Sequence, residues 1–174
     1  MTSWIYRVGN KNACIEDTRN LVLQHGMIWC RAGDTRKVQP GDRILLAFND
    51  EGTHIVPLAL LEARLPQGAE TPIRKGPCLA EMPDAPLTGY LDATKGVGGR
   101  GYQEMDNRDH TGLCVRVIDD CSSLWSKRAP GRDPHKAPPA SEFGWMHREA
   151  GSGPIVEFDP SLLTDPLLPP ELRP

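Results

Sequence analysis

Aromatic side chains are the residues of this sequence whose type and position bear most directly on chemistry. The chain has four Trp, and Trp29 stands where the short apolar run MIWC gives way to the polar stretch RAGDTRK. Most aromatic side chains pack in protein cores. A Trp at the end of a strand can instead present its ring face to a cleft, where a stacked base contributes roughly 1–3 kcal/mol. Trp29 is therefore the first candidate for the wall of a ligand site.

A glycine-rich segment, KGVGGRG, contains a formal G-x-G-x-x-G pattern that begins at Gly96. A dinucleotide site of this kind needs a strand before the glycines and an apolar helix after them. The flanking sequences GYLDAT and YQEMDNRDH have neither pattern. We expect residues 92–109 to form a mobile or irregular loop that holds no dinucleotide, from which Lys95 and Arg100 could contact a phosphate.

Metal and nucleophile signatures are weak. His110, Cys114 and Cys121 lie near one another in the sequence, but no C-x-x-C or H-E-x-x-H motif is present, and the segment around Cys114 has the pattern of a strand. A buried cysteine on a sheet face explains Cys114 better than a metal ligand does. No G-x-S-x-G motif occurs either. The sequence therefore predicts no metal site and no cofactor.

The amino-acid composition indicates the loop content, the kind of partner and the cellular compartment of this protein. With 17 Gly and 17 Pro, the chain is expected to be rich in loops and short elements. Its net charge of −3 argues against broad charge-driven binding to nucleic acid, but not against a small groove for one nucleotide. The five Cys are an odd number without close pairs. Together with the lack of a signal sequence or a long apolar run, this predicts a cytoplasmic protein that does not associate with membranes.

Apolar runs bounded by turn residues predict the elements that must position Trp29. A helix over 14–26, ending at Gly26, should connect the first two strands. Pro57 predicts a bulge or an edge position, the segment GPIVEFDPSLL predicts a last strand, and 66–111 has the pattern of a long loop. The predicted strands of one curved sheet are 3–8, 27–31, 43–49, 54–63 and 112–119.

The pieces WIYRVGN, CIEDTRNLVLQHG, MIWC and ILLAFNDEGTHIVPLALLEA, in this order, resemble the PUA-like superfamily, especially its YTH and EVE branches. The resemblance covers about residues 3–64 and, more weakly, the strand at 112–121. It implies an α+β fold, namely a small, partly open, curved β-barrel flanked by helices and rich in loops. One such domain would span residues 1–162, and a Pro-rich tail would follow over 163–174.

The resemblance also implies a binding site. Members of this superfamily hold a modified or flipped base in an aromatic cage. Trp29 matches the first wall of the cage, Asn10 matches a polar residue that bonds the base edge, and Gly9 matches a small residue whose backbone could do the same. The second wall comes from the loop after the hairpin, which in this chain has no Trp. The candidates for that wall are Tyr90, Tyr102, Trp125 and Trp145.

The sequence thus predicts a non-enzymatic module that binds nucleic acid or a nucleotide through a base, modified or not, stacked on Trp29. An effector protein is left open as a further partner. Two alternatives remain: a small enzyme with acid or base residues in the 66–111 loop, and a protein-interaction domain that docks through its Pro-rich tail. We also expect Trp29 to share a pocket with Asn10 and an aromatic residue beyond 85, with the ends of the first two strands side by side.

Overall fold

The computed structural model describes residues 1–8, 12–29, 35–50, 54–82, 111–120 and 155–157. These ranges are mostly β-structure, and helix α1 (Asn12–His25) connects the first strand to the second. The five predicted strands and the helix between the first two are confirmed, with changes at their ends. The strands are β1 (Ser3–Val8), β2 (Met27–Trp29), β3 (Arg43–Asp50), β4 (His54–Ala63), β5 (Leu79–Glu81), β6 (Thr111–Asp120) and β7 (Ile155–Glu157).

Within the described ranges the strands form one mixed, curled sheet that resembles half of a barrel. The strand order is β2-β6-β4-β3-β1-β7, and β5 also pairs with β6. Strands β1 and β3 run parallel, whereas all other neighbours are antiparallel. Strand β1 lies in the interior of the sheet, between β3 and β7. The expected last strand is confirmed as β7.

Two irregularities accompany the curl of the sheet. Leu46 pairs with Ala59 but Ala47 pairs with Pro57, so β4 carries one extra residue. The bulge expected at Pro57 is therefore confirmed. A second shift lies between Leu60 and Leu61, where β6 carries an extra residue. Bulges bend a strand and increase its local twist, so two of them around β4 favour a curled sheet over a flat one.

The buried residues form two clusters. Ile5, Leu45, Leu60 and Leu113 are fully or almost fully buried in the main core. In β2, β5 and β6, alternate residues belong to a second, smaller cluster, so it lies on the other face of these strands. Its buried members are Leu21, Met27, Ala80, Met82 and Cys114, and Trp29 packs against them. Helix α1 contributes Leu21 to the second cluster and Val22 to the main core.

Asp42 holds the N-terminal residues against the sheet through hydrogen bonds. The residue is 4% exposed. Its carboxylate accepts hydrogen bonds from Trp4 Nε1 at 2.8 Å, Thr2 N at 2.8 Å and Gln39 N at 3.0 Å. Burial alone would raise the pKa of Asp42, but these hydrogen bonds outweigh burial and hold it below the ordinary value. Trp4, at 7% exposed, is therefore a packing residue whose indole N–H has a fixed acceptor.

Two expectations about the chain path are corrected. The segment expected to be loop from residue 66 onwards contains β5, whose three residues are too few to give a recognisable period. The ends of β1 and β2 are not side by side in the sheet, because β3, β4 and β6 separate them. The domain limits at 1–162, the tail at 163–174 and the loop at 92–109 lie wholly or partly outside the described residues.

Candidate functional site

Trp29 is the last residue of β2 and packs against the second cluster, to which α1 contributes Leu21. Met27 and Trp29 are two residues apart in a strand, so their side chains share a face. Trp29 is partly buried against the cluster that contains Met27 and Met82. Its carbonyl accepts a 2.7 Å hydrogen bond from the hydroxyl of Tyr6. The side chain of Tyr6 in β1 therefore reaches the end of β2, although three strands separate β1 from β2 in the sheet.

A pocket of about 490 Å³ opens beside this cluster. It lies between the end of α1 and the segment 67–71, and Met27 and Met82 belong to its apolar lining. Trp29 does not line this pocket, but it packs against the cluster that contains both methionines. The polar and acidic part of the lining consists of Gln24, His25, Gln67, Glu70, Thr71 and Glu81.

An ion pair holds the 67–71 side of the pocket in place. Arg64 donates from Nη2 to Glu70 Oε1 and, at 3.2 Å, from Nη1 to Glu70 Oε2. Gln67 N and the thiol of Cys114 also donate to Glu70 Oε2, at 2.7 and 3.5 Å. Burial would raise the pKa of Glu70, but the Arg64 and Gln67 hydrogen bonds and the Arg64 charge hold it below its ordinary value. Glu70 is thus an occupied, structural carboxylate.

Cys78 and Cys114 are poor nucleophiles. Burial, followed by the charge of Glu70, raises the pKa of Cys114 to about 12. Burial and the charge of Asp42 raise the pKa of Cys78 to about 11. Both thiols are therefore protonated at neutral pH, whereas the thiolate is the reactive form. The expectation that Cys114 is a buried cysteine on a sheet face is confirmed, since it is fully buried in β6.

Two glycines allow the elements around the pocket to approach closely. Gly26 ends α1 with φ +61°, and a Cβ there would lie 3.1 Å from both Arg64 Nη2 and Val115 O. The expected helix stop at Gly26 is therefore confirmed. Gly112 pairs with Trp29 across β6 and β2, and a Cβ at Gly112 would lie 2.9 Å from the Met27 sulfur. Met27 therefore packs directly onto the backbone of β6.

Of the site residues expected from the sequence, Trp29 is the one that the structure describes. The remaining candidates lie outside the described residues, so their association with Trp29 stays a prediction. Sequence reasoning missed the methionine cluster, whose members come from separate segments that no local pattern connects. It also missed the Arg64–Glu70 pair, whose members are only six residues apart. The candidates outside the described ranges are Gly9, Asn10, Tyr90, Lys95, Arg100, Tyr102, Trp125 and Trp145, together with His110 and Cys121 considered for a metal.

Comparison with protein-family models, with curated proteins and with solved structures finds no match to this chain. In the described ranges, no group of three or more His, Cys, Asp or Glu is placed to hold a metal ion. No helix in this part of the chain is both long enough and apolar enough to cross a membrane. The geometry around Trp29 therefore carries the functional argument.

Proposed function

We propose that this chain is a PUA-like binding module of the YTH or EVE type that holds a base, modified or not, by stacking on Trp29. The single observation that carries the proposal is the setting of Trp29. It is a partly buried indole at a strand end, and its backbone is fixed by Tyr6. A ring held in this way loses little freedom when a flat ligand stacks on it.

The Tyr6–Trp29 contact also supports a role for the residues after β1. Asn10 follows Tyr6 by four residues, and four extended residues span at most about 14 Å between Cα atoms. In this proposal, the Asn10 amide bonds the edge of the stacked base, with Gly9 beside it. Phosphate contacts from Lys95 and Arg100, and a second aromatic wall beyond residue 85, complete the proposal. The expected partner is nucleic acid or a free nucleotide.

Binding is favoured over the enzymatic alternative by the chemistry of the described residues. The two buried thiols carry raised pKa values, and the Glu70 carboxylate is already occupied by three donor residues. Neither group is prepared to act as a nucleophile or a general base at neutral pH. A rigid sheet with an aromatic side chain at a strand end is better suited to recognition than to catalysis.

Trp29→Ala, with Trp29→Phe as the conservative variant, tests the proposal. Nucleoside monophosphates and short single-stranded DNA and RNA, with and without methylated bases, are titrated by calorimetry. Trp29→Ala should weaken binding about tenfold or more, since base stacking contributes roughly 1–3 kcal/mol, and Trp29→Phe should weaken it less. Leu65→Ala is the control, because it changes an exposed apolar side chain outside the site, and it should leave the affinity unchanged. Failure of the unaltered protein to bind any of these ligands would remove the proposal.

A further inference from the structure

The pocket between α1 and the segment 67–71 has a chemistry of its own, separate from stacking at Trp29. Its floor includes Met27 and Met82, which are 1% and 6% exposed. Thioethers are polarizable and adapt to ligands of different shape. A volume of about 490 Å³ lies in the range that small-molecule sites occupy. The pocket is therefore large enough for a ligand of several carbon atoms with one polar group.

The charge of the lining favours a cation. Two carboxylates line the pocket, and Arg64 neutralises Glu70. No basic side chain among the described residues forms an ion pair with Glu81, which is exposed at the rim. Gln24 and His25 come from the last turn of α1, and the end of a helix carries a partial negative charge. An anion would therefore meet unfavourable charge at the rim and at the helix end.

The charged residues that line the pocket could instead serve only to stabilise the fold. That explanation accounts for Glu70 but not for Glu81. Arg64 forms the ion pair with Glu70. Its guanidinium also donates hydrogen bonds to Val115 O and Leu65 O. That arrangement stabilises the wall but leaves Glu81 without a counter-charge in the described part of the chain. The methionine floor supplies the apolar surface that an aliphatic stem requires.

We propose that this pocket binds a small organic cation, with an ammonium group at Glu81 and an aliphatic stem on Met27 and Met82. The group at Glu81 would gain a partly solvated ion pair, and the stem would bury apolar surface against the two thioethers. Binding here does not require a base on Trp29, so it can be tested independently of stacking.

The test uses the full chain labelled with [methyl-¹³C]methionine. The sequence has five Met, and Met27→Leu and Met82→Leu variants assign the two floor signals. The probe is n-butylammonium at about pH 8. The neutral and anionic comparisons are n-butanol and butyrate. Met1, at 94% exposed, is the internal control for non-specific shifts.

We expect n-butylammonium to shift the Met27 and Met82 signals saturably, without the same shift at Met1, and to bind more tightly than n-butanol or butyrate. Glu81→Gln should weaken binding about three- to fivefold, as expected for a partly exposed ion pair. The matched control Glu157→Gln, at an exposed carboxylate of β7, should leave the affinity unchanged. The inference is overturned by the absence of saturable shifts at both methionines, by equal affinity for n-butanol, or by equal affinity in Glu81→Gln and the unaltered protein.

Discussion

Replacing Asp42 should show how strongly the N-terminal strand is fastened to the sheet. Asp42→Ala removes the acceptor for three hydrogen bonds, of which the one from the buried Trp4 indole, at 2.8 Å, is the most costly to lose. The backbone donors Thr2 N and Gln39 N are in partly buried contacts, where water can replace part of the interaction. A hydrogen bond to a charged group contributes about 1.5–3 kcal/mol, so we expect a loss of about 3–5 kcal/mol of unfolding free energy.

The assay is urea unfolding followed by far-UV circular dichroism, combined with a double-mutant cycle. Trp4→Phe removes the indole donor, so Asp42→Ala in that background no longer leaves a buried N–H without an acceptor. The cost of Asp42→Ala should therefore fall by about 1–3 kcal/mol in the Trp4→Phe protein. Asp119→Ala, at the partly exposed end of β6, is the control and should change stability by about 0.5 kcal/mol or less. Additive effects of the two changes, within about 0.5 kcal/mol, would refute the reasoning.

Two further predictions concern the surroundings of the pocket. Gly26→Ala should cost about 1–3 kcal/mol of unfolding free energy, because φ is +61° and the new Cβ would lie 3.1 Å from Val115 O. Gly68→Ala has a similar φ, +67°, with nothing within 4 Å, so an equal cost would contradict the steric argument. The lowered pKa of Glu70, whose ordinary value is 4.5, should contribute stability above about pH 5 that is lost as pH falls through the folded-state pKa. Acid titration of unfolding should therefore have a shallower slope in Glu70→Gln, and an unchanged slope would count against the ion pair.

The sequence was sufficient where local pattern determines structure. Apolar runs bounded by turn residues located β1, β3, β4 and β6, and Gly26 was correctly expected to end the helix, because a left-handed residue is a local requirement. Pro57 indicated a bulge for a similarly local reason, since proline cannot donate to the ladder. These signals describe segments one at a time, and they do not specify which strands pair.

The pocket and the contacts around it depend on which strands pair and on how the sheet curls. The sequence indicated neither of these. Strand β5 has three residues, and its buried positions Leu79 and Ala80 give no period that distinguishes it from the surrounding loop. Without β5, neither Met82 nor Glu81 could be assigned to a pocket. The contact between Glu70 and Cys114 joins residues that are far apart along the chain, and a single sequence contains no signal for such a contact.

Trp29 illustrates how a side-chain contact can add to strand pairing in holding the residue that we propose as the stacking surface. Its strand β2 pairs with β6 in the described sheet, whereas the hydroxyl that holds its carbonyl comes from Tyr6 in β1, with three strands between them. Strand β1 is in turn fixed at its beginning by Asp42, through Thr2 N and the Trp4 indole. A change at Asp42 can therefore reach Trp29 through one strand and one hydrogen bond. The N-terminal strand thus links the contacts at Asp42 to the geometry of the proposed stacking site.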